Sequence, residues 1–469
     1  MSLENLSVAK FGGTSMGSAA AMRKSAALVA SKPEIGLVVV SATSGTTNEL
    51  LRIFNGFWES QAHPDLESLQ KKHRDIARDL GISGSGLSSI EELFEELRRF
   101  PEENRALSRN AALDLFLSYG ERISSHLFVT ALKNEGLAGE FFDVRQVLVT
   151  DDFFGKAEPQ LAALAKRTEE ILLPKLERQR DPKIQVTQGF IGATVDGRTT
   201  TLGRGGSDFS AALLAEGLGA SELQIWTDVP GIMTMDPNVV SRARIIPALS
   251  FSEAAELANF GAKVLHPETI WPAARREIRT FVGSTFQPEL GGTWIYPDAE
   301  SVGSKSVGSE AVKAIAVRKK QTLMTVNSLR MLNAHGFLAK LFGVLANHKI
   351  SVDLVTTSEV SVALTFDQNT LGSSGGSISS HAALLGELKE FGEVHLEEGL
   401  SLVAIVGTGI TRTSQLNART FNAIAQFNIR MVCQGASPHN LCFLVNSDEA
   451  VEVVNRLHRE FIETQERHS

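Results

Sequence analysis

The densest chemistry in the chain lies in Thr199-Thr-Thr-Leu-Gly-Arg-Gly-Gly-Ser-Asp208. Gly203, Gly205 and Gly206 let the backbone take positive φ and approach a ligand closely. Ser207 and Asp208 suit a helix start, and the apolar run Phe209 to Ala215 follows. Free N–H groups in such a turn attract anions. Arg204 adds a planar fork for a carboxylate or phosphate, and Asp208 sets an acid beside that cation. Read alone, the stretch is also compatible with a capped turn carrying a solvated ion pair.

Other polar loops sit at the ends of strand-like runs. Leu6 to Phe11 ends in Gly12-Gly13-Thr14-Ser15, with Lys10 just before the glycines. The fully apolar Ile35 to Val40 suits a strand buried on both faces. It ends in Ser41-Ala-Thr-Ser-Gly-Thr-Thr-Asn48. Ile184 to Gly192 reads as a strand entering a glycine turn, and Leu223 to Thr227 as a strand ending at Asp228. Ligands of open α/β sheets gather at such ends. Glu121 and Arg122 follow Gly120 in a helical stretch, where Glu121 has a solvated helix charge as its alternative reading. The chain contains no Gly-x-x-x-x-Gly-Lys-[Ser/Thr] loop and no protein-kinase signature set.

The elements that must position these loops alternate between strand and helix. That alternation predicts a three-layer α/β domain with a mostly parallel sheet. Residues 49 to 135 read as helical. Ser301 to Glu310, rich in Ser and Gly, reads as a linker. A repeat follows: Phe342 to Ile350 lines up with Phe421 to Ile429, and Ser351 to Leu364 with Arg430 to Phe443, without a gap. Each copy reads as helix, strand, Ser-containing loop, strand, the pattern of a duplicated α+β module. Asp353 and Glu359 of the first copy correspond to Val432 and Pro438 in the second. One copy therefore offers two carboxylates to a cationic ligand, or else two ordinary surface acids. Gly372 to Ser380 reads as a mobile loop.

The totals bound the class. At 469 residues the chain holds about three domains. It is 43% hydrophobic and 21% charged, a globular balance, and its net charge of −8 gives no reason to expect nucleic acid or an anionic membrane as partner. Cys433 and Cys442 fit neither a disulfide framework nor a zinc pattern. Met1 to Leu6 lacks a basic region followed by an apolar one, and no run of ~18 apolar residues occurs. A soluble, cytoplasmic protein without a dedicated metal site is expected.

Taken together, Lys10 to Ser15, Thr199 to Asp208, Trp226 to Gly231 and Phe260 to Pro267 resemble, in order, the motifs of aspartokinase. Met331, Gly336 to Leu338 and Ser351 to Val360 resemble the regulatory segment of its lysine-sensitive, single-function members. The resemblance covers essentially the whole chain. It implies an amino-acid-kinase fold over 1–298, a linker over 299–310, a first ACT module over 311–395 and a second over 396–469. The strand near Val312 to Val317 would belong to the second module if the first is inserted into it.

The implied reaction is phosphorylation of the L-aspartate side-chain carboxylate by ATP with Mg2+, the metal arriving on the nucleotide. Lys10 and Asp208 would be catalytic. Glu121, Arg204, Ser41 and Thr47 would bind substrate. Lys10, Gly12, Gly13, Thr227, Asp228, Met233, Asp236 and Lys263 would bind nucleotide. Asn238 and Met233 depart from an Arg and a Tyr common in the family, which implies a differently built nucleotide edge. L-lysine would act as effector on Met331, Phe337, Leu338, Val352, Asp353, Thr357, Ser358 and Glu359. Pairing of ACT modules implies a homodimer, with a tetramer as the larger form. A kinase for another amino acid, such as glutamate, and a non-catalytic amino-acid sensor are the rival readings.

Overall fold

The computed structural model describes residues 5–60, 64–177, 183–261, 265, 267–297, 311–367 and 378–464. Lys263, the linker 299–310 and most of the Gly372 to Ser380 loop lie outside them. The chain divides into two compact units. One gathers the chain up to Ile232, Ile245–Ala254 and the described part of Lys263–Val307. The other gathers Met233–Arg244 and the described parts of Ala255–Ala262 and Gly308–Ser469.

The first unit runs β1 (Ser7–Phe11), α1 (Ala19–Ala30), β2 (Ile35–Val40), α2 (Thr46–Ser60), α3 (Glu67–Asp79), α4 (Ser85–Glu103) and α5 (Arg109–Asn134). It continues with β3 (Gly139–Phe142), β4 (Val149–Thr150), α6 (Leu161–Arg167), α7 (Leu173–Glu177), β5 (Ile184–Gln188), β6 (Ile191–Thr194) and β7 (Thr199–Thr201). Then come α8 (Gly206–Leu218), β8 (Glu222–Thr227), β9 (Ala248–Ser250), α9 (Phe251–Asn259), α10 (Pro267–Arg275), β10 (Arg279–Ser284) and β11 (Gly292–Tyr296). Part of α9 falls in each unit.

Eight strands form one sheet in the order β3-β5-β2-β1-β8-β10-β11-β9. Every pairing in it is parallel except β10 with β11. Every residue of β1 and β2 is buried, so helices cover both faces. Strand alternation sorts the faces. Ala9, Phe11, Val38 and Val40 join the core under α1 to α5. Val8, Lys10, Leu37 and Val39 point the other way, towards α8, which packs on β1 and β2. A small sheet, β4-β6-β7, leads into α8.

In the second unit one six-stranded antiparallel sheet carries both copies of the repeat. Its strands are β12 (Val312–Asn327), β13 (Val355–Thr357), β14 (Ser361–Asp367), β15 (Glu393–Gly407), β16 (Met431–Gln434) and β17 (Asn440–Asn446), in the order β13-β14-β12-β15-β17-β16. The two long central strands are shared. Gln321–Asn327 pairs with β14 and with the first half of β15, while Val312–Arg318 pairs only with its second half. The pairing slips between Arg318 and Gln321, where Lys320 takes φ +60°. Two cores follow from this split. Met324 and Val326 pack with Leu341, Leu345 and Leu364, whereas Val312 and Ile315 pack with Val403, Phe443 and Leu457.

The segment 233–244 is built into the second of these cores through Met235 and Val240. His458, fully buried near the end of the helix Ala450–His458, fastens it. His458 Nε2 lies 3.0 Å from Thr234 Oγ1, and Nδ1 lies 3.0 Å from Glu463.

Candidate active site

Neighbouring parallel strands β2, β1 and β8 end side by side, which brings three loops together. Gly12 N donates to the Trp226 carbonyl at 3.0 Å, tying the loop after β1 to the end of β8. A Cβ at Gly13 would sit 3.2 Å from the Ala42 carbonyl, so glycine permits the close approach of the loop after β2. The fourth wall is the turn into α8. Gly203 and Gly205 take φ of +80° and +75°, and Gly205 precedes the first helical residue. The local sequence thus sets this turn, because only glycine adopts that conformation at little cost.

These walls line an open cleft of about 540 Å³, within the usual size of a small-ligand site. Lys10, Gly12, Gly13, Ser41, Thr47, Glu121, Arg204, Asp208 and Thr227 all line it. Asp228 does not; its carboxylate accepts a bond from Thr227 Oγ1 at 3.0 Å. Met233 and Asp236 belong to the second unit, where Asp236 accepts from Asn238 N at 2.9 Å and Nδ2 at 3.0 Å. The lining also includes Thr14, Ala42 to Gly45, Asn48 and Phe190, which lie in loops marked by the sequence but were not named there as site residues. Phe190 follows Gly189 in the glycine turn after β5, so that turn was the available signal.

The charges are arranged unequally. Lys10 is buried to 7% exposure and its Nζ lies 2.5 Å from Asp208 Oδ1. Arg204 is exposed at the cavity and makes no ion pair among the described residues. Glu121, in the middle of α5, is 3% exposed. Ala42 N donates to its Oε1 at 3.2 Å, while Oε2 is buried without a hydrogen-bond partner. Burial pushes its carboxyl up to about 8. A cation entering the cavity would reverse that penalty, as an opposite charge favours the ionised form.

The sign of the pH effect follows. The ligand-free folded chain holds the Glu121 proton more tightly than an unfolded chain with the ordinary value of 4.5. Stability contributed by the protonated carboxyl is therefore lost as pH rises from about 4.5 to about 8. Denaturant unfolding across that range should show this decline in the wild type and a flatter profile in Glu121→Gln. Matching slopes in the two proteins would contradict it.

Asp114 of α5 is the residue that the sequence concealed most fully. It is buried, and its carboxylate accepts from Gly155 N at 2.9 Å, Thr201 N at 2.8 Å and Thr201 Oγ1 at 2.8 Å. It thereby fixes the end of β7, two residues before the glycine turn. Burial raises its carboxyl, and the three donors work against that rise. Asp114→Ala would strand those donors, so we expect a loss of about 2–4 kcal/mol, read as a lowered melting temperature.

The candidate effector residues gather in the first repeat. Met331, Phe337 and Val352 border one core, and Leu338 is 37% exposed beside them. Thr357 ends β13. Ser358 Oγ accepts from Ser361 N at 3.1 Å in the turn that exposes Glu359. Asp353 is not the open carboxylate that the sequence suggested. Arg318, from the slipped region of β12, lies 2.8 Å from its Oδ2. Burial raises the Asp353 carboxyl, and Arg318 opposes that rise.

Residues 5–284 match the amino acid kinase family and residues 403–461 match an ACT domain. The chain is 44% identical over 461 residues to lysine-sensitive aspartokinase 3 of Escherichia coli, covering 98% of this chain and all of the relative. It belongs to the aspartokinase family. The kinase match takes in the parallel sheet from β1 to β10 and the whole cavity. The crystal structure of E. coli aspartokinase III in complex with aspartate and ADP, an R-state, superposes with a TM-score of 0.82 over 97% of this chain and 99% of the other. The complex of that enzyme with lysine and aspartate, a T-state, gives 0.79 over 98% and 100%. Among the described residues no helix is long and apolar enough to cross a membrane.

Proposed function

We propose that this aspartokinase transfers the γ-phosphoryl group of MgATP to the side-chain carboxylate of L-aspartate, giving ADP and 4-phospho-L-aspartate. The observation that carries the reading is the pairing of buried Lys10 with half-buried Asp208 inside a glycine-walled cavity that also holds Arg204 and Glu121. Phosphoryl transfer needs positioning and charge neutralisation more than a covalent catalyst. Lys10 neutralises charge that develops on the transferring group. Gly12, Gly13 and Ser41 supply donors to phosphate oxygens, and Thr227, Asp228 and Lys263 serve the nucleotide. Arg204 clamps the α-carboxylate of aspartate, with Thr47 beside it. Glu121, with its unpartnered oxygen, meets the substrate ammonium. Asp208 orients Lys10; no general base is needed, because the attacking carboxylate is already ionised at neutral pH.

Among the described residues no three acids, histidines or cysteines cluster as a metal cage. In this reading magnesium arrives on the nucleotide, held largely by phosphates and water.

L-lysine is the proposed effector, bound by Asp353, Glu359 and the residues gathered around them, with feedback inhibition as the result. The lysine complex of the E. coli relative supports this. ACT modules, 311–395 and 396–469 with the leading strand Val312 to Val317 counted in the second, follow a linker at 299–310 and pair across a homodimer or a tetramer in the proposed assembly, and the enzyme works in the cytoplasm. Hydroxamate formation with aspartate, ATP and magnesium tests the reaction. Turnover with aspartate at least about tenfold above that with glutamate is expected. Equal or greater turnover with glutamate, or none with either, would overturn it.

A further inference from the structure

Besides the bond from Ala42 N to Glu121, the cavity wall formed by Ser41 to Asn48 is held from behind by a continuous series of hydrogen bonds. It starts at His73 in α3, whose side chain is fully buried and does not line the cavity. His73 Nδ1 lies 2.7 Å from the Leu69 carbonyl. A carbonyl only accepts, so Nδ1 carries the proton and Nε2 of the neutral ring accepts. Thr43 Oγ1, 3.0 Å away, donates to it. A hydroxyl has one proton, so Thr43 accepts at its 2.6 Å contact with Thr46 Oγ1, and Thr46 donates. Thr46 accepts in turn from Lys72 Nζ at 3.0 Å, and Lys72 also donates to the Ser44 carbonyl at 2.6 Å. Every proton in the series points the same way, from Lys72 to the Leu69 carbonyl.

The loop needs such an anchor. Its side chains are nearly all polar, and Gly45 takes φ +78°. Thr43 and Thr46 are 1% and 0% exposed. A buried hydroxyl without a partner costs about 1–3 kcal/mol, so the loop settles where both are bonded. No apolar residue at position 73 could accept from Thr43.

We propose that neutral His73 is a positioning residue for the acceptor side of the reaction. By fixing the Thr43 hydroxyl it sets the course of Thr43 to Thr47, beyond the phosphate-facing Ser41, and so the affinity for the amino-acid substrate. This rests on the aspartate-kinase reading above. Burial pulls the His73 ring down to about 4, with Lys72 lowering it further and the Leu69 carbonyl opposing. Phe94 from α4, with its ring centre 5.8 Å away, and Thr43 from the loop carry no charge. The ring therefore stays neutral and accepting throughout the neutral range.

The test is steady-state kinetics of the full chain with aspartate and ATP varied separately, for the wild type, His73→Phe and His73→Gln. His73→Phe should raise the KM for aspartate about tenfold while the KM for ATP stays within about twofold. His73→Gln, whose amide oxygen can accept from Thr43, should recover most of that loss. A loss of kcat that merely tracks the folded fraction, with both KM values unchanged, would overturn the proposal. If His73→Phe does not fold, Thr43→Val removes the same bond from the loop side and should give the same KM split. Nitrogen NMR of the ligand-free wild type gives a readout independent of turnover. It should show a protonated Nδ1 and a bare Nε2 from about pH 6 to 8. A cationic ring or the other tautomer would refute the hydrogen-bond series. A wild type without aspartate-dependent turnover would instead refute the kinase reading and leave the NMR result standing.

Discussion

Lys10→Met should lower kcat by about 10²–10³-fold or more, the range expected when a charge-stabilising donor is removed from a preorganised site. Three features make Lys10 the site of greatest leverage. It sits at the C-terminal end of a central parallel strand, where β2 and β8 flank it. It is buried, so its field is weakly screened. Its Nζ is held 2.5 Å from Asp208, which keeps it aimed into the cavity. The same burial complicates the measurement, because removing one partner of a buried pair leaves the other uncompensated and costs stability. Lys10→Met/Asp208→Asn removes both charges and separates the two effects. The double variant should regain thermal stability relative to Lys10→Met and remain inactive. A Lys10→Met enzyme that is fully folded and turns over within tenfold of the wild type would remove Lys10 from the proposed mechanism.

The second large effect is regulatory. Asp353→Asn should raise the lysine concentration needed for half-inhibition at least about tenfold, as expected when a half-buried carboxylate loses its charge towards a cationic ligand. The inhibition constant is read as a ratio within each variant, so any change in uninhibited turnover cancels. Because Arg318 already pairs with Asp353, a lysine ammonium must share or displace an existing cation. Glu359, exposed in its turn, has no such competitor among the described residues. Glu359→Gln should therefore weaken inhibition as well. Unchanged inhibition in both variants would move the effector site away from this loop.

Much of the catalytic framework was legible in the chain because it is written in short-range rules. The apolar run Ile35 to Val40 suits a strand buried on both faces, and glycines at 203 and 205 suit a tight turn opening into a helix. A loop at each strand end then falls at one edge of the sheet. The repeat was equally plain, since Phe342 to Leu364 lines up without a gap with Phe421 to Phe443. The weaker parts of the reading were those where one position gains meaning from a distant one. Glu121 could not be separated from a solvated helix charge until α5 was seen to bury it against Ala42. Asp114, three donors from β7 around it, and His73, bonded to Thr43, gave no local signal at all.

The sequence alone therefore marked the loops that line the cavity, the mostly parallel sheet they hang from, and the acidic pair of one repeat. These depend on period, turn residues and residue type, which neighbours in the chain decide. Tertiary structure alone decided which charges are paired, which are buried and which remain open. It placed Lys10 against Asp208, Arg318 against Asp353, and left one oxygen of Glu121 without a partner. Those outcomes depend on desolvation and on contacts between residues far apart in sequence, and no local pattern carries that information.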